Sequence, residues 1–94
     1  MRIIGYLETP GMKTTVFKMD NRLSVKFETG HYEQTYKFRS GEGVDTLDDA
    51  QRLVGESFLQ EVARLFREMH KTRIQASASQ QRHPEESDDW EEII

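Results

Sequence analysis

Apolar and polar residues alternate through four short segments in the first forty residues of the chain. The segments are rich in β-branched and aromatic side chains, which favour extended strands, and they cover residues 2–8, 12–19, 22–28 and 31–39. Residue pairs that favour tight turns separate the segments, namely Pro10-Gly11, Asp20-Asn21 and Thr29-Gly30. Asp20-Asn21 suits a two-residue type I′ turn, because both residues tolerate positive φ. The pattern predicts an antiparallel meander of four strands.

The turns also predict which side chains share a face of this sheet. If Met19 lies beside Arg22 and Glu28 beside His31, steps of two residues assign each strand position to one face. The first face is mostly apolar and contains Met12, Thr14, Val16, Leu23, Val25, Phe27, Tyr32, Gln34, Tyr36 and Phe38. The second face is mostly polar and contains Lys13, Thr15, Phe17, Arg22, Ser24, Lys26, Glu33, Thr35, Lys37 and Arg39.

Finer expectations follow from this register. Lys26 lies opposite Glu33 as a cross-strand ion pair, and Gln34 on the apolar face needs a helix residue or a backbone group as its hydrogen-bond partner. A two-residue loop at Pro10-Gly11 adds Ile3 and Leu7 to the apolar face and Tyr6 to the polar face.

Beyond a connector at residues 40–44, the apolar spacing changes to three and four residues. The main stripe consists of Leu47, Ala50, Val54, Phe58, Val62, Leu65 and Met69, and it is widened by Leu53, Leu59 and Phe66. Thr46 suits the N-cap, and Asp48 and Asp49 favour the positive end of a helix. The broad stripe predicts a helix that covers the apolar face of the sheet. Gly55 predicts a bend or a break into two helices.

Apolar periodicity ends near Lys71, and the remaining residues have the composition of a disordered segment. We therefore predict an α+β domain over residues 1–71, with a four-stranded antiparallel meander and one C-terminal helix on one face. A disordered acidic tail is predicted for residues 72–94.

The formal net charge of −4 is unevenly distributed along the chain. Residues 82–94 contain six acidic residues and one arginine, whereas residues 1–41 contain seven basic and four acidic residues. The strand region is therefore basic and the tail is acidic, which favours a polyanion, or the tail itself, as a ligand of the sheet.

Several functional classes have little support in the sequence. The chain has no cysteine, so disulfides, thiolate metal sites and a cysteine nucleophile are excluded. Its three histidines are not spaced as metal ligands, and no serine or threonine has an evident histidine and carboxylate partner. No segment approaches the roughly 20 apolar residues of a membrane span. We expect a cytoplasmic, non-enzymatic protein without a metal or cofactor.

The polar face of the sheet is the main candidate site. It combines positive charge with an aromatic ring, a pairing that suits single-stranded nucleic acid because phosphates need cations and bases stack on rings. The candidate residues are Lys13, Phe17, Arg22, Lys26, Lys37 and Arg39. An ordinary solvated face and a homodimer interface are the alternatives.

The order of four strands and one helix, with a basic outer face, resembles the single-stranded nucleic-acid-binding proteins of the positive-cofactor-four and PUR families. The resemblance is one of layout and covers residues 2–70. It implies dimers that bind single strands on the exposed sheet, through Lys13, Phe17, Lys26 and Lys37 by position. The stretch EQTYKF also resembles a small, uncharacterised bacterial protein family.

The acidic end of the chain is the second candidate site. Its composition resembles the acidic, hydrophobic C-terminal tip of bacterial single-stranded-DNA-binding proteins, although a terminal Pro-Phe is missing. The resemblance implies an unknown protein partner for Asp88, Asp89, Trp90, Ile93 and Ile94. A solubilising end and a tail that folds back on its own sheet are the alternatives.

These observations give a leading hypothesis and one alternative. The leading hypothesis is a small binding module, homodimeric through the sheet, that binds single-stranded nucleic acid on the polar face. The alternative is a protein-interaction or assembly adaptor without a role in nucleic-acid binding.

Overall fold

The chain forms an α+β fold in which one open sheet is followed by two helices, as a computed structural model of residues 1–82 shows. The elements are β1 (Arg2–Thr9), β2 (Met12–Met19), β3 (Arg22–Thr29), β4 (Tyr32–Arg39), α1 (Leu47–Leu53) and α2 (Glu56–Arg82). The strands are antiparallel and adjacent in sequence order, so the predicted meander is confirmed. Residues 83–94 of the predicted tail lie outside the described part of the chain.

The three hairpins define the register of the sheet. Met19 lies opposite Arg22 as predicted. A type I′ turn needs positive φ at both central residues, but only Asp20 has it and Asn21 does not, so the turn is not type I′. In the third hairpin Thr29 pairs with Tyr32, and the predicted pairing of Glu28 with His31 is wrong. Thr29-Gly30 was predicted as a turn because glycine tolerates positive φ. Gly30 does not adopt positive φ, so the turn does not use this property. Glu28 instead pairs with Glu33, two residues further along β4, and a shift of two residues leaves the face assignments unchanged.

An irregularity in β1 changes one of these assignments. Ile3 pairs with Phe17 and Gly5 pairs with Val16, so Ile4 is an extra residue in the first strand. Ile4 packs against the core, and Ile3 is placed on the polar face with 49% of its surface exposed. The prediction that Ile3 belongs to the apolar face is therefore wrong.

The core lies between the apolar face of the sheet and the helices. Its buried hydrophobic residues are Val16, Leu23, Val25, Phe27, Val44, Ala50, Val62 and Phe66. The ring of Phe27 lies 5.9 Å from that of Tyr36 and 5.7 Å from that of Phe58, measured between centroids. Full burial of a side chain such as Phe27 contributes roughly 1.5–3 kcal/mol. One face of the sheet is thus used entirely for folding.

The helical segment is broken into two helices at Gly55, which is one of the two outcomes predicted for that residue. Thr46 caps α1, and its side chain accepts a hydrogen bond from the backbone of Asp49. The second helix continues to Arg82, beyond the predicted domain end at residue 71, and residues 70–80 are exposed. Residues 72–80 contain no glycine or proline, so the helix extends from its packed part at little cost. Residues 72–82, which were predicted to belong to the disordered tail, are therefore helical.

Candidate functional site

The face of the sheet opposite the helices is the candidate site, and we call it the open face. It carries all six residues predicted to bind a ligand, Lys13, Phe17, Arg22, Lys26, Lys37 and Arg39. Tyr6 also lies there as predicted, and 60% of its surface is exposed. The strand register therefore brings all six predicted nucleic-acid-binding residues onto one surface.

Cross-strand pairing arranges the open face in four rows. In order along the strands, the rows are Met19-Arg22-Arg39, Ile3-Phe17-Ser24-Lys37, Tyr6-Thr15-Lys26-Thr35 and Glu8-Lys13-Glu28-Glu33. Basic residues concentrate in the first two rows, at what we call the arginine end. Acidic residues concentrate in the fourth row, at what we call the glutamate end. The sequence predicted a basic strand region. The open face instead has a basic end and an acidic end, separated along the strands.

An apolar patch lies between the two ends on β1 and β2. It consists of Ile3, Tyr6 and Phe17, of which Ile3 and Tyr6 have 49% and 60% of their surfaces exposed. Lys13 Nζ lies 5.8 Å from the centroid of the Tyr6 ring, and Lys26 Nζ lies 5.3 Å from that of Phe17. Both distances are within the range of a cation–π contact. The apolar patch thus has a basic lining.

Ile3 is the residue of this patch that the sequence analysis assigned to the wrong face. The signal that could have found it is Gly5, because a glycine inside a strand pattern often marks a bulge. A bulge before Gly5 reverses the side of every residue that precedes it. This reversal is what adds an aliphatic side chain to the two aromatic rings of the patch.

Lys26 is engaged within the sheet. Its Nζ lies 3.6 Å from Glu28 Oε1 and 3.8 Å from Glu33 Oε2. The predicted ion pair with Glu33 therefore exists, but Lys26 lies directly opposite Thr35, and Glu33 is its diagonal neighbour. The prediction that these two residues face each other is wrong because of the shifted register. Since two carboxylates neutralise Lys26, its charge is less available to a phosphate than that of Lys37 or Arg39.

Other chemistry has limited support in the described chain. No group of three or more histidine, aspartate and glutamate residues among residues 1–82 is arranged to hold a metal ion. His70 lies at the edge of the helix–sheet contact, where its Nδ1 is 2.9 Å from the hydroxyl of Tyr32. Within residues 1–82, no helix is long and apolar enough to span a bilayer. The predicted tail site at Asp88, Asp89, Trp90, Ile93 and Ile94 lies outside the described residues.

Known proteins give no assignment for this surface. No family model, no curated protein and no solved structure matches the chain. The layout resemblance to the positive-cofactor-four and PUR families therefore stays a prediction, and the geometry of the open face carries the functional argument.

Proposed function

We propose that the chain is a cytoplasmic, non-enzymatic binding module that engages a protein partner across its open face. The observation that carries this proposal is the apolar patch between the arginine end and the glutamate end, in which Ile3 and Tyr6 are exposed and Phe17 is half-buried. Apolar and aromatic side chains surrounded by charged ones are the usual composition of a protein–protein interface. The proposal thus favours the adaptor hypothesis over nucleic-acid binding.

The charge distribution also favours a protein partner. A single strand of nucleic acid is negative along its whole length, and the glutamate end, with Glu28 and Glu33, would repel it. A protein surface can present acidic groups to the arginine end and basic groups to the glutamate end. Lys26, at the middle of the face, already has two carboxylate partners. The face therefore suits a ligand with charges of both signs.

Photo-crosslinking in the cells that express the chain tests this proposal. A benzophenone amino acid in place of Tyr6, on the open face, should give adducts with protein that survive nuclease treatment. The matched control carries the same group in place of Ile74, which is 54% exposed on the projecting part of α2. Adducts from Tyr6 but not from Ile74 support the proposal. A complete lack of protein adducts from Tyr6 would overturn it.

Single-stranded nucleic acid is the second candidate ligand. Arg22, Arg39 and Lys37 lie together on β3 and β4 in the first two rows, and Phe17 lies in the second row on β2, with Ser24 between it and Lys37. Three cations on the same face as a stacking ring match what a short single strand requires. The acidic tail would then compete with the phosphates or contact a second protein through Trp90, which are the two roles proposed for the C-terminal residues.

Fluorescence anisotropy of a labelled single-stranded oligonucleotide distinguishes the two candidates. Phosphate binding weakens steeply as salt rises, whereas binding across an apolar patch depends on salt much less. If nucleic acid is the ligand, the full chain binds at low salt, and Lys37→Ala and Arg39→Ala weaken binding and reduce its salt dependence. A lack of binding at low salt, both by the full chain and by a chain ending at Arg82 that lacks the competing acidic residues, excludes this candidate.

A further inference from the structure

We propose that the partner of the open face is a second copy of this chain, packed face to face with its strands antiparallel to those of the first. This inference rests on the proposed function, since it names the protein that the open face binds. Three observations support it, namely two like-charged cross-strand pairs, the symmetry of the four rows and the area of the face.

Two pairs of like charges lie directly opposite each other across β3 and β4. Arg22 faces Arg39 at the arginine end, and Glu28 faces Glu33 at the glutamate end. Like charges in this position destabilise an isolated sheet. Lys26 relieves the glutamate pair, but no carboxylate of the described residues lies within 4.0 Å of either arginine. A ligand that relieves both pairs must carry acidic and basic groups about one strand length apart.

A second copy carries those groups at the required spacing. A twofold axis in the plane of the interface and perpendicular to the strands places the first row of one copy over the fourth row of the other. Arg22 then meets Glu28 of the second copy, and Arg39 meets Glu33, because each residue lies on the same strand as its counterpart and the same distance from the axis. Both like-charged pairs are neutralised, and each contact occurs twice.

The same axis also brings apolar residues of the two copies together. It lies between the second and third rows, so Ile3 of one copy faces Tyr6 of the other, and Phe17 faces Thr15. A twofold axis parallel to the strands would instead place Glu8 over Glu33 and Ile3 over Lys37. Of these two face-to-face arrangements, only the first pairs opposite charges and places Ile3 against Tyr6.

The area of the open face indicates how tightly the two copies should bind each other. Four strands about 4.8 Å apart and eight residues long cover a face of about 500 Å² per copy, or about 1,000 Å² for the pair. Specific, stable interfaces bury about 1,200–2,000 Å², so this value is at the weak end of the biological range. The pair should therefore exchange between monomer and dimer at accessible protein concentrations.

A charge-swap experiment on the full chain tests the arrangement. Sedimentation velocity over a wide concentration range should show a monomer–dimer equilibrium. Arg22→Glu should weaken the dimer by at least about tenfold, because two glutamate–glutamate contacts then form across the axis. Adding Glu28→Arg to the same chain should restore dimerisation. Arg67→Glu, an equal charge change on the exposed surface of α2, should leave it unchanged.

Lys26 contacts both glutamates, so substituting Glu28 also changes the surroundings of Lys26. A second pair of charge-swap substitutions, at Arg39 and Glu33, checks that the result does not depend on this local change. Arg39→Glu should weaken the dimer, and Glu33→Arg in the same chain should restore it. Circular dichroism should show that all variants are folded.

Three results with the full chain, and one with a shortened chain, would overturn the inference. A chain that is monomeric at every concentration, a dimer that is indifferent to Arg22→Glu and Arg39→Glu, or a failure of both double variants to restore dimerisation would each do so. A chain ending at Arg82 should still dimerise, and loss of the dimer there would assign the contact to the tail. If the chain is monomeric while Tyr6 still gives adducts with other proteins, the dimer is excluded and the proposed function stands.

Discussion

Gln34 on β4 donates a hydrogen bond from its Nε2 to the carbonyl oxygen of Val62 on α2, 2.9 Å away. The hydroxyl of Tyr36 donates a second bond, of 2.7 Å, to Gln34 Oε1. Both ends of a partly buried amide are thus satisfied, and one of the two bonds joins the sheet to the helix. The predicted partner of Gln34 was a helix residue or a backbone group, and the Val62 carbonyl confirms this prediction.

Replacing Gln34 with leucine should destabilise the fold. Gln34→Leu removes both hydrogen bonds and deprives the Tyr36 hydroxyl of its acceptor, so we expect a loss of about 1–2 kcal/mol in the free energy of unfolding. Urea denaturation followed by circular dichroism measures it. Thr35→Ala, at the neighbouring exposed position on the open face, is the matched control and should change stability by less than about 0.5 kcal/mol. Equal midpoints for Gln34→Leu and wild type would contradict the role of this amide.

Gly5 is required by the close approach of α1 to the first strand. A Cβ atom at this position would lie 2.6 Å and 2.9 Å from the two methyl carbons of Leu47. We expect Gly5→Ala to cost about 1 kcal/mol, at the low end of overpacking, because these methyl groups are the flexible end of the leucine side chain. Gly30→Ala is the control, since the space around Gly30 is open and its φ is not positive.

A double-mutant cycle shows whether the stability lost in Gly5→Ala comes from the contact with Leu47. In a Leu47→Ala background the contacting methyl groups are absent, so Gly5→Ala should cost much less than in the wild type. An unchanged cost would show that the bulge, rather than Leu47, requires glycine at this position. Both measurements use thermal or urea unfolding of the same four chains.

Asp49 makes the stability of the fold dependent on acid pH. Hydrogen bonds from the backbone N–H of Asp45 and from Thr46, together with the Arg52 guanidinium, hold the pKa of the Asp49 carboxyl below its ordinary value of 3.8. A carboxyl with a lowered pKa in the folded state stabilises the fold above its unfolded pKa, and this contribution is lost as the pH falls through the folded value. The capping box should therefore weaken in acid.

The substitution Asp49→Asn measures this contribution directly. The variant should be less stable than the wild type at pH 7, and the difference should shrink as the pH falls below 3.8, where the wild-type carboxyl becomes protonated. Urea midpoints of both chains at pH 7 and at acid pH give the comparison. Asp48→Asn removes an equal charge from the same helix end without removing the capping bonds, and it should have the smaller effect at pH 7. A pH-independent difference would contradict the assignment.

Alternation and turn residues predicted the two faces of the sheet, because a register fixed at Met19 and Arg22 determines the side of every later strand residue. Alternation and turn residues did not predict the two features of the open face that depend on which residues pair across the strands. The like-charged pair Arg22–Arg39 exists only in the shifted register of β3 and β4, and the exposure of Ile3 exists only because Ile4 is an extra residue in β1. The first depends on where the third turn forms, and the only local sign of the second is Gly5 inside a strand pattern, which does not by itself locate a bulge.

The projecting part of α2 was missed for a different reason. Core contacts end at Met69, and residues 70–80 are exposed, so the apolar pattern stops although the helix does not. Residues 72–82 should therefore be helical but contribute little to stability. A chain ending at Lys71 should lose less than about 1 kcal/mol. Among the side-chain contacts of the described residues, the one that joins the removed helix to the sheet is that of Arg73 with the Tyr32 ring, at 6.0 Å, and the Thr72 hydroxyl donates only to the Glu68 carbonyl of the same helix.

Two measurements on this shortened chain test the prediction. Far-ultraviolet circular dichroism should lose the signal of the helical turns over residues 72–82, while the urea midpoint should remain close to that of the full chain. A chain ending at Arg67 is the control, since it also removes Met69 from the core and the Tyr32–His70 bond, and it should be clearly less stable. If the chain ending at Lys71 loses as much stability as this control, the projecting helix makes a contact that holds the fold together. If its helical signal is unchanged, residues 72–82 are not helical in solution.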